Sequence, residues 1–243
     1  CNPQEKTWEC EGSSKDAKWY GSYFSLGKIN GLVLHDNISY LATDIGLQIV
    51  TLKIPYVPVI VGWAYSDGPA NAIAIDRDKI AYVGDQKGIR IYDCDFSLVP
   101  ILKDQVTVDE AIRMVRLDED RRLLYAVSDS KLYIFDVSDI DNIVQLSTLT
   151  IEDAELSDVA MTEKLIYASG QKGVHVIDGR DVTQPEMLND VITERPIIHM
   201  KSDGDYLYLV NELYENVAYR LKNDPVYPDL METDHTVSGW VKG

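Results

Sequence analysis

The chain has 243 residues, of which 45% are hydrophobic and 26% charged, and 40 acidic against 23 basic residues give a net charge of −17. This length suffices for one large domain, or at most two, with a sizeable core. Because nucleic-acid binding uses Lys and Arg to neutralise phosphates, the acidic balance argues against a nucleic-acid partner, and anionic membrane surfaces repel such a chain for the same reason. The sequence has no apolar run near the roughly 18 to 20 residues of a membrane-spanning helix.

The composition of residues 1–18 predicts a flexible tether, because the segment is polar, contains Pro3 and Gly12, and includes few aliphatic residues. A chain that begins with Cys1 and continues in this way resembles a bacterial lipoprotein after removal of its signal peptide. That resemblance implies lipid attachment at Cys1 and membrane contact through this anchor only. It also implies a location at the bacterial cell envelope, either periplasmic or surface-exposed. The alternative is a chain boundary that happens to fall at a cysteine.

The other two cysteines are Cys10 and Cys94. They either pair as a disulfide in an oxidising compartment or remain two free thiols. The three cysteines form neither a Cys-x-x-Cys pair nor a metal-ligand cluster, so we expect no metal and no other cofactor.

From residue 29 onward the sequence repeats with a period of about 42 residues. One landmark is a glycine followed by alternating hydrophobic residues, and its five copies start at Gly46, Gly88, Lys131, Gly173 and Asn216. The other landmark is a tyrosine near the start of a short hydrophobic run, found at Tyr40, Tyr82, Tyr125, Tyr167 and Tyr208. Two landmarks in phase through five copies indicate an internal repeat.

Each unit is rich in β-branched and aromatic residues. In the second unit, hydrophobic runs at 72–75, 80–84 and 89–92 are separated by turn residues, and a fourth, less regular run follows Pro100. This pattern predicts short antiparallel strands, and no window has a helical period. Four strands per unit predict an all-β fold, a β-propeller of five four-stranded blades in one domain over residues 19–243. The predicted units are 29–68, 69–110, 111–153, 154–195 and 196–234.

The unit resembles the LVIVD repeat of bacterial surface and secreted propellers. The match is clearest over 82–100 and 167–185 and covers residues 29–234. The first copy departs from it with Thr51 in place of Asp, the third has Lys131 in place of Gly, and the fifth has a longer loop at 211–216. The resemblance implies a propeller at the cell envelope and no catalytic motif.

The outer strand of the fifth blade has two candidates in the sequence. Residues 19–23 resemble the outer strand of the first unit near Trp63, whereas residues 226–233 stand where that strand belongs in the fifth unit. Both assignments stay open at this point.

Pairs of acidic residues lie between the first and second strands of several units, at Asp76/Asp78, Asp118/Asp120 and Asp203/Asp205. None has the spacing of a calcium-binding loop, so we interpret them as turn residues. The glycine of the repeated Gln-Lys-Gly tripeptide, at Gly88 and Gly173, is expected to supply a positive φ before the third strand. The histidines share no zinc spacing, and no hydrolase motif is present.

The first strand of each unit is expected to line the central channel, where small apolar residues are usual. Polar residues stand out near these positions at Asn30, Asn71, Arg113, Arg116, Asp158 and His199. Arg113 and Asp158 come from neighbouring units, and we expect them to meet at the channel mouth. The predicted ligand-binding residues at this mouth are Asn71, Arg113, Asp158, Arg195 and His199. The alternative is a ring of satisfied polar residues that plugs the channel.

The loops between units carry many acidic residues, which suit a cationic ligand or a basic protein partner, or serve only solubility. Our favoured hypothesis is a non-enzymatic, envelope-anchored propeller that is a binding platform for an unknown envelope protein or glycan. The alternative is an extracellular hydrolase or lyase with a polar site at the channel mouth. That alternative requires Arg113, Asp158 and His199 to reach one axial cavity. A third possibility is a structural member of a larger envelope assembly.

Overall fold

The computed structural model describes residues 23–54, 57–95, 99–221 and 231–237, the last as backbone. These residues form twenty strands in five four-stranded antiparallel sheets, each made of four consecutive strands. The predicted all-β, five-bladed β-propeller is thereby confirmed. In this part of the chain no helix is long and apolar enough to cross a membrane.

The blades follow one another in chain order. The first blade comprises β1 (Ile29–His35), β2 (Ile38–Thr43), β3 (Gly46–Thr51) and β4 (Val59–Tyr65). The second comprises β5 (Ala72–Ile75), β6 (Ile80–Gly84), β7 (Gly88–Asp93) and β8 (Ile101–Thr107). The third comprises β9 (Met114–Asp118), β10 (Leu123–Val127), β11 (Lys131–Asp136) and β12 (Val144–Thr150). The fourth comprises β13 (Asp158–Met161), β14 (Leu165–Gly170), β15 (Gly173–Asp178) and β16 (Glu186–Ile192). The fifth comprises β17 (Ile197–Ser202), β18 (Tyr206–Asn211), β19 (Asn216–Leu221) and β20 (Met231–Val237).

The core lies between the faces of neighbouring blades. The second and third strands of the blades are hydrophobic on both faces. Their side chains form four clusters, one between each pair of consecutive blades from the first to the fifth. Tyr40, Tyr82, Tyr125 and Tyr167, the repeated tyrosines of the first four blades, are at most 2% exposed. Burying one such ring stabilises the fold by roughly 2 kcal/mol. The residues that repeat in the sequence are therefore those that pack between neighbouring blades.

The first and fifth blades are not joined in the same way. The fifth tyrosine, Tyr208, is 45% exposed, and Leu32 and Leu34 on β1 are 56% and 61% exposed. Among the described residues, the hydrophobic clusters fill four joints, and β17 makes no contact with β1 comparable to its contact with β13. Among the described residues, the fifth blade thus packs against the fourth blade and not against the first.

The turn chemistry expected from the sequence is confirmed. Gly88 and Gly173 have φ values of +146° and +120°. A Cβ at Gly88 would lie 2.0 Å from the carbonyl oxygen of Val106, so this site needs glycine for space as well as conformation. The Asp76 carboxylate accepts backbone hydrogen bonds from Asp78 and Ile80 at 3.0 and 2.8 Å. Asp203 holds the equivalent turn of the fifth blade.

The outer strand of the fifth blade is β20, which pairs with β19. It runs from Met231 to Val237, later than the predicted 226–233 and three residues past the predicted end of the unit at 234. The competing segment 19–23 lies outside the described residues except for Tyr23. Cys1, Cys10 and the rest of the predicted tether also lie outside them, whereas Cys94 is buried and burial raises its pKa to about 12.

Candidate functional site

A recurring hydrogen bond ties the two blades together in three of the four pairs of consecutive blades. A polar side chain at or just before the first strand donates to a backbone carbonyl at the start of the following blade. The three bonds are Asn30 Nδ2 to Ala70 O at 3.0 Å, Asn71 Nδ2 to Ile112 O at 2.8 Å and Ser157 Oγ to Ile197 O at 2.5 Å. Asn71, which we predicted to bind a ligand, therefore connects two blades.

Arg113 occupies the equivalent position in the third blade but has a different partner. Its backbone N–H donates to Val127 O at 2.8 Å, as that of Asn71 does to Gly84 O. Its side chain forms an ion pair with Asp129, and both side chains are about half exposed. The expected pair between Arg113 and Asp158 is wrong.

The reason is that the first strand of the third blade and the connection from the third to the fourth blade are each one residue longer than their equivalents in the second blade. Ser157 is the backbone equivalent of Arg113, because its N–H donates to Ser169 O in the same way. The two residues are 44 positions apart instead of the 42 that the repeat predicts. Because side chains alternate between the two faces of a strand, a shift of two residues keeps the face but moves each side chain one pair along the strand, and it makes Asp158 the equivalent of Met114.

Asp158 connects three blades from a fully buried position. Its Oδ1 accepts a hydrogen bond from the N–H of Val159 at 2.8 Å. Its Oδ2 accepts one from Arg116 Nη2 of the third blade at 2.8 Å and one from the N–H of Met200 of the fifth blade at 3.0 Å. With no exposed surface and both oxygens engaged, this carboxylate is a structural anchor.

His199 lies at the edge of this group. Its Nδ1 is 3.8 Å from Asp158 Oδ2, and its side chain is largely exposed. Interaction with the Asp158 carboxylate raises the pKa of His199 above its usual 6.5, which favours the imidazolium. Two of the three residues of the enzyme hypothesis are therefore neighbours, while Arg113 points to Asp129.

Arg195, the remaining predicted site residue, lies in the connection between the fourth and fifth blades. Its Nη1 is 3.9 Å from Glu212 Oε1, and it lines a cavity of about 300 Å³ with Ile192, Asn211 and Tyr219. None of the other predicted site residues lines this cavity. The structure therefore does not unite the five predicted residues in one site.

A second cavity, of about 340 Å³, opens between the first strands of the third, fourth and fifth blades. Its lining includes Arg116, Met161, Lys201 and Ser202. Arg116 stood out in the sequence among the polar residues of the first strands, but Lys201 did not. The signal that would have found Lys201 is its register, because it is paired with the repeated tyrosine Tyr208.

The acidic loops of the channel face are partly neutralised by neighbours. Asp67 accepts from Arg90 Nη2 at 2.6 Å. Hydrogen bonds from Lys131 and Tyr133 lower the pKa of Asp109 to about 2. These acids are structural, although Glu152, Asp153 and Glu155 of the next connection are exposed. In the described residues no group of three or more His, Cys, Asp or Glu side chains is arranged to hold a metal ion.

Comparison with known proteins shows the fold alone. No family model matches the sequence, and no curated protein matches it. Solved structures do match. Kuenenia stuttgartiensis hydrazine synthase is 16% identical with a TM-score of 0.65, over 79% of this chain and 64% of that one.

Two further structures give the same result. A putative 6-phosphogluconolactonase of Bacteroides uniformis is 13% identical with a TM-score of 0.66, over 84% of this chain and 69% of that one. The WD40 β-propeller domain of Doa1 is 9% identical with a TM-score of 0.64, over 82% and 66%. The chain thus spans about two thirds of the length of these propellers.

Proposed function

We propose that the protein is a non-enzymatic propeller that serves as a binding platform for a protein or glycan of the bacterial envelope. The observation that supports this most is the state of Asp158. A general acid or base must reach the substrate with a free lone pair or proton, whereas Asp158 is buried and both of its oxygens accept hydrogen bonds from the protein. The enzyme alternative relied on this residue.

An envelope location with lipid attachment at Cys1 is part of the proposal, as is the resemblance to LVIVD-repeat propellers. Both rest on the sequence. In this proposal the exposed, charged connections between the blades supply the contact groups, and the half-exposed pair of Arg113 and Asp129 is one of them. Propellers present such loops on a rigid scaffold, which is where binding residues are commonly found.

The test is capture from a detergent extract of bacterial envelopes by the immobilised full chain. We expect a defined protein or glycan to be retained by the folded chain and lost when the same resin is denatured. Arg113→Ala should reduce retention and Arg113→Lys should preserve it, while Lys53→Ala, an exposed cation on the first blade, serves as the control. Failure to retain any component above bare resin would contradict the proposal.

A further inference from the structure

Five equivalent positions stand opposite the repeated tyrosines on the first strands. The strand register pairs these tyrosines with Val33, Ala74, Arg116, Ala160 and Lys201. Three of the positions carry small or apolar residues, as expected near a propeller channel. The other two carry cations, on the blades to either side of Ala160.

Both cations line the cavity of about 340 Å³. Arg116 and the backbone N–H of Met200 bind the same oxygen of Asp158, at 2.8 and 3.0 Å. The guanidinium therefore lies beside the backbone from which Lys201 projects. The rest of the lining combines the hydroxyl of Ser202 with apolar side chains, Leu117, Val159, Ala160, Met161 and Met200.

The polar groups of this cavity have unused hydrogen-bond donors. Arg116 is 39% exposed, and its hydrogen bond within the described chain uses Nη2. Lys201 is exposed and forms neither an ion pair nor a side-chain hydrogen bond with any described residue. The Ser202 hydroxyl accepts from the N–H of Gly204 at 3.1 Å, which leaves its own hydrogen to donate.

The local charge is opposite in sign to that of the whole chain. Asp158 compensates one cation, and His199 adds a further positive charge when protonated. The residues that line the cavity include two cations and no acid, in a chain whose net charge is −17. Ammonium and guanidinium groups together favour carboxylate and phosphate oxygens, and thioether side chains accept apolar surface.

We propose that this cavity binds a small organic oxyanion, a carboxylate or a phosphate monoester, with the cations on its oxygens and its body against Leu117 and Met161. The inference rests on the proposed binding function and names the class of ligand for the axial cavity. It assigns roles to Arg116 and Lys201, of which neither was among the predicted ligand-binding residues.

The test is titration calorimetry of the full chain with D-glucuronate and glucose 6-phosphate, and with glucose as the uncharged comparison. We expect at least one anion to bind and glucose not to bind. Lys201→Met should weaken the affinity about tenfold, the effect of losing one charge-assisted hydrogen bond, and Lys201→Arg should retain it. Lys164→Met removes an exposed cation outside the cavity lining and should change the affinity by less than about twofold.

Equal binding of glucose and the anions would overturn the inference, as would equal effects of Lys201→Met and Lys164→Met or no binding of either anion. Binding of only one anion identifies the oxyanion type that the cavity accepts. If neither anion binds but an envelope component is still captured, this inference is wrong and the proposed binding function is retained. If the protein chemically cleaves the captured component, the proposed non-enzymatic function is wrong.

Discussion

The Asp158 carboxylate links three blades through one side chain. Its partners come from the third, fourth and fifth blades, and it has no exposed surface. The Arg116 side chain is 39% exposed, whereas the N–H groups of Val159 and Met200 depend on this buried carboxylate for their hydrogen bonds. The position of this residue therefore indicates a structural role and not a catalytic one.

Asp158→Asn should lower the free energy of unfolding by about 2 kcal/mol, because the amide has one acceptor oxygen in place of two and leaves the N–H of Val159 or Met200 unpaired. Denaturation in urea measures this change. Asp205→Asn, at an exposed acid in a turn of the fifth blade, should change it by less than about 0.5 kcal/mol. Equal effects of the two substitutions would contradict the role given to Asp158.

His199 should titrate with a midpoint above 6.5, because the Asp158 carboxylate favours its protonated form. The pKa is higher in the folded state than in the unfolded chain, so protonated His199 stabilises the fold fully at pH below about 6.5. This contribution is lost as pH rises through the folded pKa. Imidazole NMR measures the midpoint, and a value at or below 6.5 would be inconsistent with the geometry.

At the scale of the strands and turns, the third strand of most blades begins at a glycine that has a positive φ and no room for a side chain. Gly88→Ala should destabilise the fold by about 3 kcal/mol, since it adds a clash with Val106 O to backbone strain. Gly204→Ala is the matched control, because its φ is +99° and no atom lies within 4 Å of the added Cβ. It should cost about 1 kcal/mol. Similar losses in thermal or urea unfolding would refute the steric argument.

The fifth blade should open more easily than the others, because no described blade packs against one of its faces and Tyr208 is exposed. Hydrogen exchange read by mass spectrometry should therefore be faster in β18 than in β10, whose tyrosine is fully buried. Equal protection of the two strands would show that the fifth blade is as firmly held as the third.

The blades could be predicted because strand periodicity recurs in every unit and the spacing of six residues between Tyr82 and Gly88 recurs in the first four. The polar contacts could not, because they depend on the lengths of individual connections. The connection that precedes Ser157 is longer than the one that precedes Arg113, so a constant spacing of 42 aligns the wrong residues. Lys201 was missed for a related reason, since its importance comes from its register opposite Tyr208.

At the scale of the whole molecule, the charge of −17 has several structural origins. Asp76 and Asp203 hold turns, Asp67 and Asp109 are paired with neighbouring cations, and Asp158 joins blades. Much of the acidity thus stabilises the repeat. The positive cavity at Arg116 and Lys201 stands apart from this distribution, which is why it provides the sharper indication of a ligand.

We infer that this propeller binds its envelope ligand without transforming it. The most direct measurement is the mass spectrum of the captured component before and after prolonged incubation with excess full-length protein at several pH values. We expect an unchanged mass and continued binding. A mass increase from the addition of water across a bond, or the appearance of an unsaturated sugar end, would contradict the non-enzymatic function. Either product requires a general acid or base, and the buried Asp158 cannot reach a substrate.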